Sequence, residues 1–270
     1  EGPDGERAAE FAERFLRDRR LPGGVRLRVH RAIPSHSGLG SGTQLGLGVA
    51  RVLAELHGLS LDPVELARST GRGKRSAIGT WAFDGGGFIV EGGRRPGGNR
   101  IAPLIARLPV PTHWRYVVAV PVAGRGLSGE DEARAFEQLP APPEGDAERV
   151  AHLVLMQLLP SLIDDDLASF GEALSAIQRI TGGWFATQQG GVFTPGPTEE
   201  LITAMVRCGA VGVGQSSWGP AAYGLAESDA AAARLARELG PLLEGGGEIF
   251  HGGFAGQGAR VWRGPVAPQN

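Results

Sequence analysis

The residues with the clearest chemical potential form a glycine-rich stretch, Pro34–Gly48 (PSHSGLGSGTQLGLG), in which glycines are interspersed with hydroxyl side chains. The stretch follows an extended apolar pattern and runs into a helical one, so it marks a helix N-terminus. Unpaired amides there, aided by the helix dipole, can cradle a phosphate or diphosphate. The alternative is a tight strand-to-helix turn without a ligand. The predicted phosphate-binding residues are Ser37, Gly38, Leu39, Gly40, Ser41, Gly42, Thr43 and Gln44.

This stretch differs from two common nucleotide-binding loops. No Gly-Lys-Ser/Thr sequence closes it, as a Walker A loop requires, and it lacks the Rossmann G-x-G-x-x-G spacing with a following acidic strand end. His36 lies inside the stretch, where it either bonds a phosphate and assists its departure or simply hydrogen-bonds the backbone.

A second group of candidate residues is cationic. Arg72, Lys74 and Arg75 lie within four residues and are flanked by glycines, an arrangement that suits capture of a phosphate or carboxylate by forked guanidinium groups. A solvated charged loop is the alternative. We predict catalytic roles for these three residues and for His36.

Polar residues in two further segments are predicted to bind substrate. Asp84 is open to three interpretations, namely a Mg²⁺ ligand, a partner that orients an arginine, or a turn former before three glycines. Trp81 and Phe83 either sandwich an aromatic ring or belong to the core. For Ser216 and Ser217, phosphate binding competes with turn stabilisation. The predicted substrate-binding residues are Ser76, Thr80, Asp84, Gln215, Ser216, Ser217 and Gly219.

Other reactive residue types are assigned structural roles, and the metal ligands stay unassigned. Asp164, Asp165 and Asp166 resemble the acidic pair of phosphoribosyltransferases, but the expected phosphate loop does not follow, so they are interpreted as charges at a helix N-terminus. His251 has no second ligand at metal-site spacing. The single cysteine, Cys208, lies in an apolar helical run and is interpreted as a buried thiol.

The elements that position these residues follow from hydrophobic periodicity. Helices are predicted at 5–20, from the glycine-rich stretch to Gly58, at 62–70, 146–160, 165–180 and 199–209. A half-buried strand is predicted at 25–33, a functional loop at 71–87, and a strand directly after it. A strand at 116–122 opens the second half. The end of the chain is predicted as VGVGQSS and AAYGLAE strands, an SDAAAARLARELG helix, and GEIFHGG and ARVWRG strands.

Composition excludes several function classes. The chain has 270 residues, 41% hydrophobic and 21% charged, with 27 Lys+Arg against 29 Asp+Glu, which provides no basic excess for nucleic-acid binding. No apolar stretch approaches membrane-spanning length, and the first residues are too charged for a signal peptide. A soluble, cytoplasmic protein that binds neither nucleic acid nor membrane is expected.

Three motifs together resemble a known superfamily. The segment P-x-x-x-G-L-G-S-G from Pro34 is similar to the phosphate motif of the GHMP kinases, although Gly42 replaces a second Ser that belongs to the Mg-nucleotide site of those kinases. Gly71–Gly93 resembles the distinctive block of the β-ribofuranosylaminobenzene 5'-phosphate synthases. Val213–Leu225 is similar to the late GHMP turn that folds back toward the phosphate loop. Many GHMP kinases carry a catalytic Asp where this chain has Ile78-Gly79-Thr80, so the resemblance favours the synthases.

The resemblance implies a fold and a reaction. The fold is α+β, with an S5-like N-terminal half (1–111) that carries the phosphate loop, a ferredoxin-like C-terminal half (112–270), and the ligand between them. The reaction joins 5-phosphoribosyl 1-diphosphate to an aryl carboxylate, 4-aminobenzoate or 4-hydroxybenzoate, with loss of CO₂ and diphosphate, for tetrahydromethanopterin-type cofactors. Mg²⁺ and a homodimer are implied as well. The alternatives are an ATP-dependent GHMP kinase and a non-catalytic phosphosugar- or nucleotide-binding protein. The early motif of the family is not visible before Glu1, so residues from it are missing from these predictions.

Overall fold

A computed structural model describes residues 1–93, 98, 100–122 and 134–264. The chain divides into two compact units. Unit 1 comprises Glu1–Ile33, Gly40–Pro109 and Ala255–Asn270, and unit 2 comprises Pro34–Leu39 and Val110–Phe254. The glycine-rich loop therefore passes from unit 2 into unit 1 between Leu39 and Gly40. The predicted division at residues 111 and 112 stays a prediction from the sequence.

Unit 1 contains a group of helices and a two-stranded antiparallel sheet. In chain order these are α1 (Gly5–Arg19), α2 (Ser41–Leu56), α3 (Pro63–Ser69), α4 (Ile78–Gly85), β1 (Phe88–Glu91) and β2 (Leu104–Leu108). The two strands pair with Phe88 opposite Leu108.

The core of unit 1 forms where the apolar faces of its helices meet. Phe11 and Phe15 of α1 pack with Leu47 and Leu53 of α2 and with Leu66 of α3, all buried. Helix α3 begins with a capping box, because the Asp62 carboxylate accepts from the Glu65 amide at 2.7 Å and the Glu65 carboxylate accepts from the Asp62 amide at 3.1 Å. The predicted helices 5–20 and 62–70 are thereby confirmed.

Three predicted elements of this unit are wrong. Residues 25–30 alternate between half-buried and exposed positions as a strand would, and residues 31–33 are exposed, yet the segment joins no sheet among the described residues. An apolar alternation describes one face of a strand, whereas a strand also needs a hydrogen-bonding neighbour. The predicted closing strand ARVWRG likewise joins no described sheet. The predicted loop 71–87 contains helix α4, and the amide of its N-cap residue, Ala77, donates to the Glu91 carboxylate.

Unit 2 is built on a four-stranded antiparallel sheet. Its elements are β3 (Arg115–Pro121), α5 (Asp146–Leu153), a π-helical segment (Val154–Leu158), α6 (Leu159–Ile163), α7 (Leu167–Gln189), α8 (Pro197–Arg207), β4 (Val211–Gln215), β5 (Ala222–Ala226), α9 (Asp229–Leu239), a 3₁₀ turn (Gly240–Leu243) and β6 (Gly247–Gly252). The spatial order is β4-β5-β3-β6.

This order, with helices between β3 and β4 and between β5 and β6, is the ferredoxin-like β-α-β-β-α-β arrangement. Helices α8 and α9 bury Leu201, Met205, Leu235 and Leu239 in one core with Val117 of the central strand β3. The predicted ferredoxin-like C-terminal half is confirmed. Among the described residues, no helix has the length and apolar character needed to cross a membrane.

The capping box of α3 gives a prediction about stability. Asp62→Ala removes the side-chain acceptor, so we expect the free energy of unfolding to fall by about 1 kcal/mol, as measured by urea denaturation. Asp62→Asn is the matched control, because it keeps an acceptor oxygen at the same position. Equal losses in the two variants would contradict a capping role.

Candidate phosphate site

The start of the glycine-rich loop lies in unit 2 and has an unusual backbone. His36 and Gly38 have φ angles of 58° and 84°, so both occupy the left-handed region. The Ser37 side chain is buried, and its hydroxyl donates to the Pro34 carbonyl at 2.7 Å. This predicted phosphate ligand thus holds the loop closed, while His36 is exposed.

The loop start is bound to the late turn at residues 216–221, as the resemblance predicted. The Ser216 hydroxyl donates to the Gly38 carbonyl at 3.0 Å, and the Ala221 amide donates to the Ser37 carbonyl at 3.2 Å. A Cβ at Gly38 would overlap the Ser216 carbonyl oxygen. Only glycine therefore allows this approach.

Gln215 is a hydrogen-bonding centre beneath this turn. Its side chain is buried; the oxygen accepts from the Thr194 amide at 2.7 Å, and the nitrogen donates to Gln189 Oε1 at 3.1 Å and to the Ser217 carbonyl at 3.0 Å. These bonds position the turn, so the geometry gives Gln215 a structural role in addition to the predicted contact with substrate. Gly219 is buried and Ser217 is exposed.

In unit 1, helix α2 begins with unpaired backbone donors. Gly40, at φ 75°, is its N-cap residue and provides no side-chain cap. The Gly40 carbonyl accepts from the amides of Thr43 and Gln44, at 2.9 and 3.1 Å. Among the described residues, nothing accepts from the amides of Ser41 and Gly42. Two N–H groups at the positive end of a helix dipole are suited to an anion.

The opposite side of this helix start contacts α4. The Gln44 side-chain amide donates to the Gly79 carbonyl at 2.8 Å, so its hydrogen-bonding capacity is partly used. Thr43 also lies against Gly79, because a Cβ there would be 3.0 Å from the Thr43 methyl carbon. The next residue, Thr80, is fully buried, and its hydroxyl has no hydrogen-bond partner in the described part of the chain.

The predicted cations take different positions in the loop after α3. The Arg72 guanidinium lies over the Phe11 ring, with Cζ 4.9 Å from the ring centroid, a cation–π geometry. Lys74, Arg75 and Ser76 are exposed, and the Ser76 hydroxyl accepts from the Ile78 amide at 3.2 Å.

An arginine from α1 joins Arg72 at the start of α2. An ideal Cβ at Gly42 would lie 2.6 Å from Arg7 Nη2 and 2.7 Å from Arg72 Nη2. Arg7 was not among the predicted site residues and lay only within the predicted helix 5–20. The available signal was Gly42 itself, a glycine inside a helix, where glycine is disfavoured.

Asp84 orients an arginine, which is one of the three roles predicted for it. Its carboxylate accepts from Arg107 Nη2 at 2.8 Å, and the same nitrogen donates to the Trp81 carbonyl at 2.8 Å. The ring nitrogen of Trp81 donates to the Ala102 carbonyl at 3.0 Å, and Phe83 packs against the unit 1 core. These contacts support the core interpretation for Phe83, whereas Trp81 is half-buried and uses its ring nitrogen to bond the backbone.

No group of three or more His, Cys, Asp or Glu side chains among the described residues is placed to hold a metal ion.

Asp166 caps α7, since its carboxylate accepts from the Ser169 amide at 3.0 Å, and hydrogen bonds from Ser169 lower the pKa of this carboxyl. The predicted position at a helix N-terminus is confirmed for Asp166, whereas Asp164 is the C-cap residue of α6 and Asp165 lies between the two helices.

Gly38 provides a prediction about the loop. We expect Gly38→Ala to lower the free energy of unfolding by roughly 1–3 kcal/mol, because the methyl group meets a carbonyl and the backbone is left-handed. Gly48→Ala is the control from the same stretch. A Cβ at this position in α2 meets nothing within 4 Å, so we expect a gain of roughly 0.5–1 kcal/mol. Urea denaturation of both variants is the measurement, and a stable Gly38→Ala would contradict the docking of the loop.

Two buried threonines of unit 1 give a second prediction. We expect Thr80→Val to raise the free energy of unfolding by about 1 kcal/mol, since it removes a buried hydroxyl that lacks a partner. Thr70→Val should lower it by about 1 kcal/mol, because the buried Thr70 hydroxyl donates to the Leu66 carbonyl at 3.0 Å. Chemical denaturation distinguishes the two. Equal losses of stability in both variants would show that the Thr80 hydroxyl is not an unpaired donor.

Comparison with family models agrees with the fold. The model for the GHMP kinases N terminal domain matches residues 6–84, and the model for the GHMP kinases C terminal matches residues 158–242. Among solved structures, homoserine kinase from Cytophaga hutchinsonii superimposes with a TM-score of 0.71 at 19% identity, over 93% of this chain and 77% of that one. This likeness confirms the predicted fold and by itself indicates nothing about activity.

Sequence relatives identify the family more closely. Beta-ribofuranosylphenol 5'-phosphate synthase from Methanothermobacter thermautotrophicus is 37% identical over 226 residues, which are 79% of this chain and 68% of that protein. The protein of the same name from Archaeoglobus fulgidus is 35% identical over 218 residues, 77% of this chain and 66% of that protein. The chain thus spans about two thirds of the length of these relatives. It belongs to the beta-ribofuranosylphenol 5'-phosphate synthase family, on a GHMP kinase fold.

Proposed function

We propose that this chain transfers the phosphoribosyl group of 5-phosphoribosyl 1-diphosphate to the ring of a 4-substituted benzoate, with release of CO₂ and diphosphate. The product would serve tetrahydromethanopterin biosynthesis. The observation that carries the proposal is the start of α2, where the amides of Ser41 and Gly42 have no protein acceptor and two arginines approach Gly42. The family membership supports the choice of reaction.

The reaction depends mainly on its leaving group. The bond between the anomeric carbon and oxygen breaks with its electron pair on the diphosphate, and the sugar gains oxocarbenium character. The ring carbon that bears the carboxylate then forms a bond to the anomeric carbon. When CO₂ leaves, the electron pair of the broken carbon–carbon bond returns to the ring. No proton has to be removed in these steps, so donors preorganised for the leaving diphosphate provide the main stabilisation.

Several described residues suit that task. The amides of Ser41 and Gly42 would hold diphosphate oxygens, and exposed Lys74 and Arg75 would neutralise the remaining charge. Thr80 is fully buried, so its hydroxyl is not assigned to the diphosphate. Mg²⁺ stays in the proposal as a counter-ion of the diphosphate, and no step is assigned to it. The exposed Ser217 and His36 remain proposed contacts to the substrate.

The acceptor is proposed to be 4-hydroxybenzoate or 4-aminobenzoate. The resemblance in the sequence suggested 4-aminobenzoate, whereas the names of the two relatives contain a phenol, which favours 4-hydroxybenzoate. Each acceptor carries a para electron-donating group, which stabilises the ring when its carboxylate-bearing carbon attacks.

Release of labelled CO₂ tests the reaction directly. Each acceptor, labelled in its carboxyl group, is incubated with the protein, Mg²⁺ and 5-phosphoribosyl 1-diphosphate, beside a reaction that contains MgATP instead. We expect release that requires the phosphoribosyl donor, and the acceptor with the higher kcat/KM is the assigned substrate. No release from either acceptor would reject the proposal, and phosphate transfer from MgATP would establish the kinase alternative.

Arg75 provides a prediction within this assay. We expect Arg75→Ala to lower kcat/KM by roughly 10–100-fold, the loss expected for a hydrogen bond to a charged group. Arg68→Ala is the control, because Arg68 is an exposed arginine on the adjacent α3. Both variants should keep the thermal unfolding temperature of the parent protein. Near-normal turnover of Arg75→Ala would remove this residue from the site.

A further inference from the structure

Gly42 is a glycine that the backbone does not require. It lies in the first turn of α2, its side of the helix is buried, and its φ is outside the left-handed region. Glycine is a poor helix former, so a residue with a side chain would be expected here on conformational grounds alone.

The space around Gly42 explains the glycine. A Cβ at this position would meet two guanidinium nitrogens, Arg7 Nη2 at 2.6 Å and Arg72 Nη2 at 2.7 Å. The two arginines come from separate elements, α1 and the loop after α3. Both guanidinium groups therefore occupy the volume that a side chain at residue 42 would fill.

Neighbouring groups hold both arginines in this position. Arg7 Nη1 lies 3.2 Å from the Asp4 carboxylate, and Arg72 lies over the Phe11 ring. Phe11 in turn contacts α2 one helical turn after Gly42, where a Cβ at Gly46 would be 3.2 Å from the ring. The positions of the guanidinium groups are thus built into the packing of α1 on α2.

Two guanidinium groups that converge on Gly42 repel each other, and an anion bound between them would add to the neutralisation that the Asp4 carboxylate provides beside Arg7. Guanidinium groups bind phosphate oxygens in pairs through their forked N–H groups. We infer that Arg7 and Arg72 form a clamp for the diphosphate group of the phosphoribosyl donor, and that Gly42 is kept free of a side chain to admit it. The identity of the donor rests on the proposed function, whereas the clamp itself requires only a diphosphate.

Binding of inorganic diphosphate tests the clamp without turnover. Isothermal titration calorimetry, with and without Mg²⁺, compares the parent protein with Arg7→Gln and Gly42→Ala. We expect the dissociation constant to rise roughly 10–100-fold in Arg7→Gln, which loses a charged hydrogen-bond donor. Gly42→Ala should weaken binding by at least about tenfold at an unchanged or higher unfolding temperature, because alanine favours the helix while its methyl group displaces the guanidinium groups.

Two controls match these variants. Arg17→Gln removes an exposed arginine from the same helix α1, and Gly48→Ala adds a methyl group to α2 where no atom lies within 4 Å. Both should bind diphosphate as the parent protein does. If Arg7→Gln fails to fold, Gly42→Ala decides the question, since it keeps both arginines.

Two outcomes would overturn the inference. One is diphosphate binding by Arg7→Gln and Gly42→Ala within twofold of the controls, and the other is no binding by the parent protein. An assay of labelled CO₂ release on the same preparations tests the proposed function independently of the clamp. Arg7-dependent diphosphate binding without CO₂ release rejects the function and keeps the clamp, whereas CO₂ release with unchanged binding in both variants rejects the clamp alone.

Discussion

The absence of side-chain atoms at two glycines is the constraint on which the candidate site depends. At Gly38 a Cβ would overlap the Ser216 carbonyl, and at Gly42 it would displace the Arg7 and Arg72 guanidinium groups. The first glycine lets the loop dock on the late turn of unit 2, and the second admits cations to the start of α2 in unit 1. The reason for glycine differs between the two positions. Gly38 has a left-handed backbone, whereas Gly42 leaves room for two arginine side chains.

Two of the predicted substrate-binding side chains, those of Gln215 and Asp84, make hydrogen bonds that fix loops. Gln215 uses both ends of its amide within unit 2, and Asp84 is held by Arg107 within unit 1. Gln215 is buried, and a buried polar group needs partners, so its hydrogen bonds determine one conformation of the turn. Among the donors without a protein partner in the described part of the chain, the amides of Ser41 and Gly42 lie together at the start of α2, and these two are proposed to bind the ligand.

The proposed chemistry explains why a synthase family can use the same fold as the GHMP kinases. A kinase and a phosphoribosyl transferase both have to stabilise phosphate charge, and a glycine-rich loop at a helix N-terminus meets that need in either reaction. The step that differs is activation of the nucleophile. In the proposed reaction the electron pair comes from an aromatic ring that loses CO₂, and a catalytic base at the position of Ile78 to Thr80 is not required.

The sequence by itself determined the features that lie within a few residues of one another. Amphipathic periodicity located α1, the Asp62 capping signal located α3, and the three glycine-containing motifs identified the family. Tertiary structure decided what depends on distant partners. The segment 25–33 joins no described sheet because pairing needs a neighbouring strand, and the N-cap residue of helix α4, Ala77, donates its amide to Glu91 of β1. Arg7 reaches Gly42 only because α1 packs on α2, and no local pattern records such a contact.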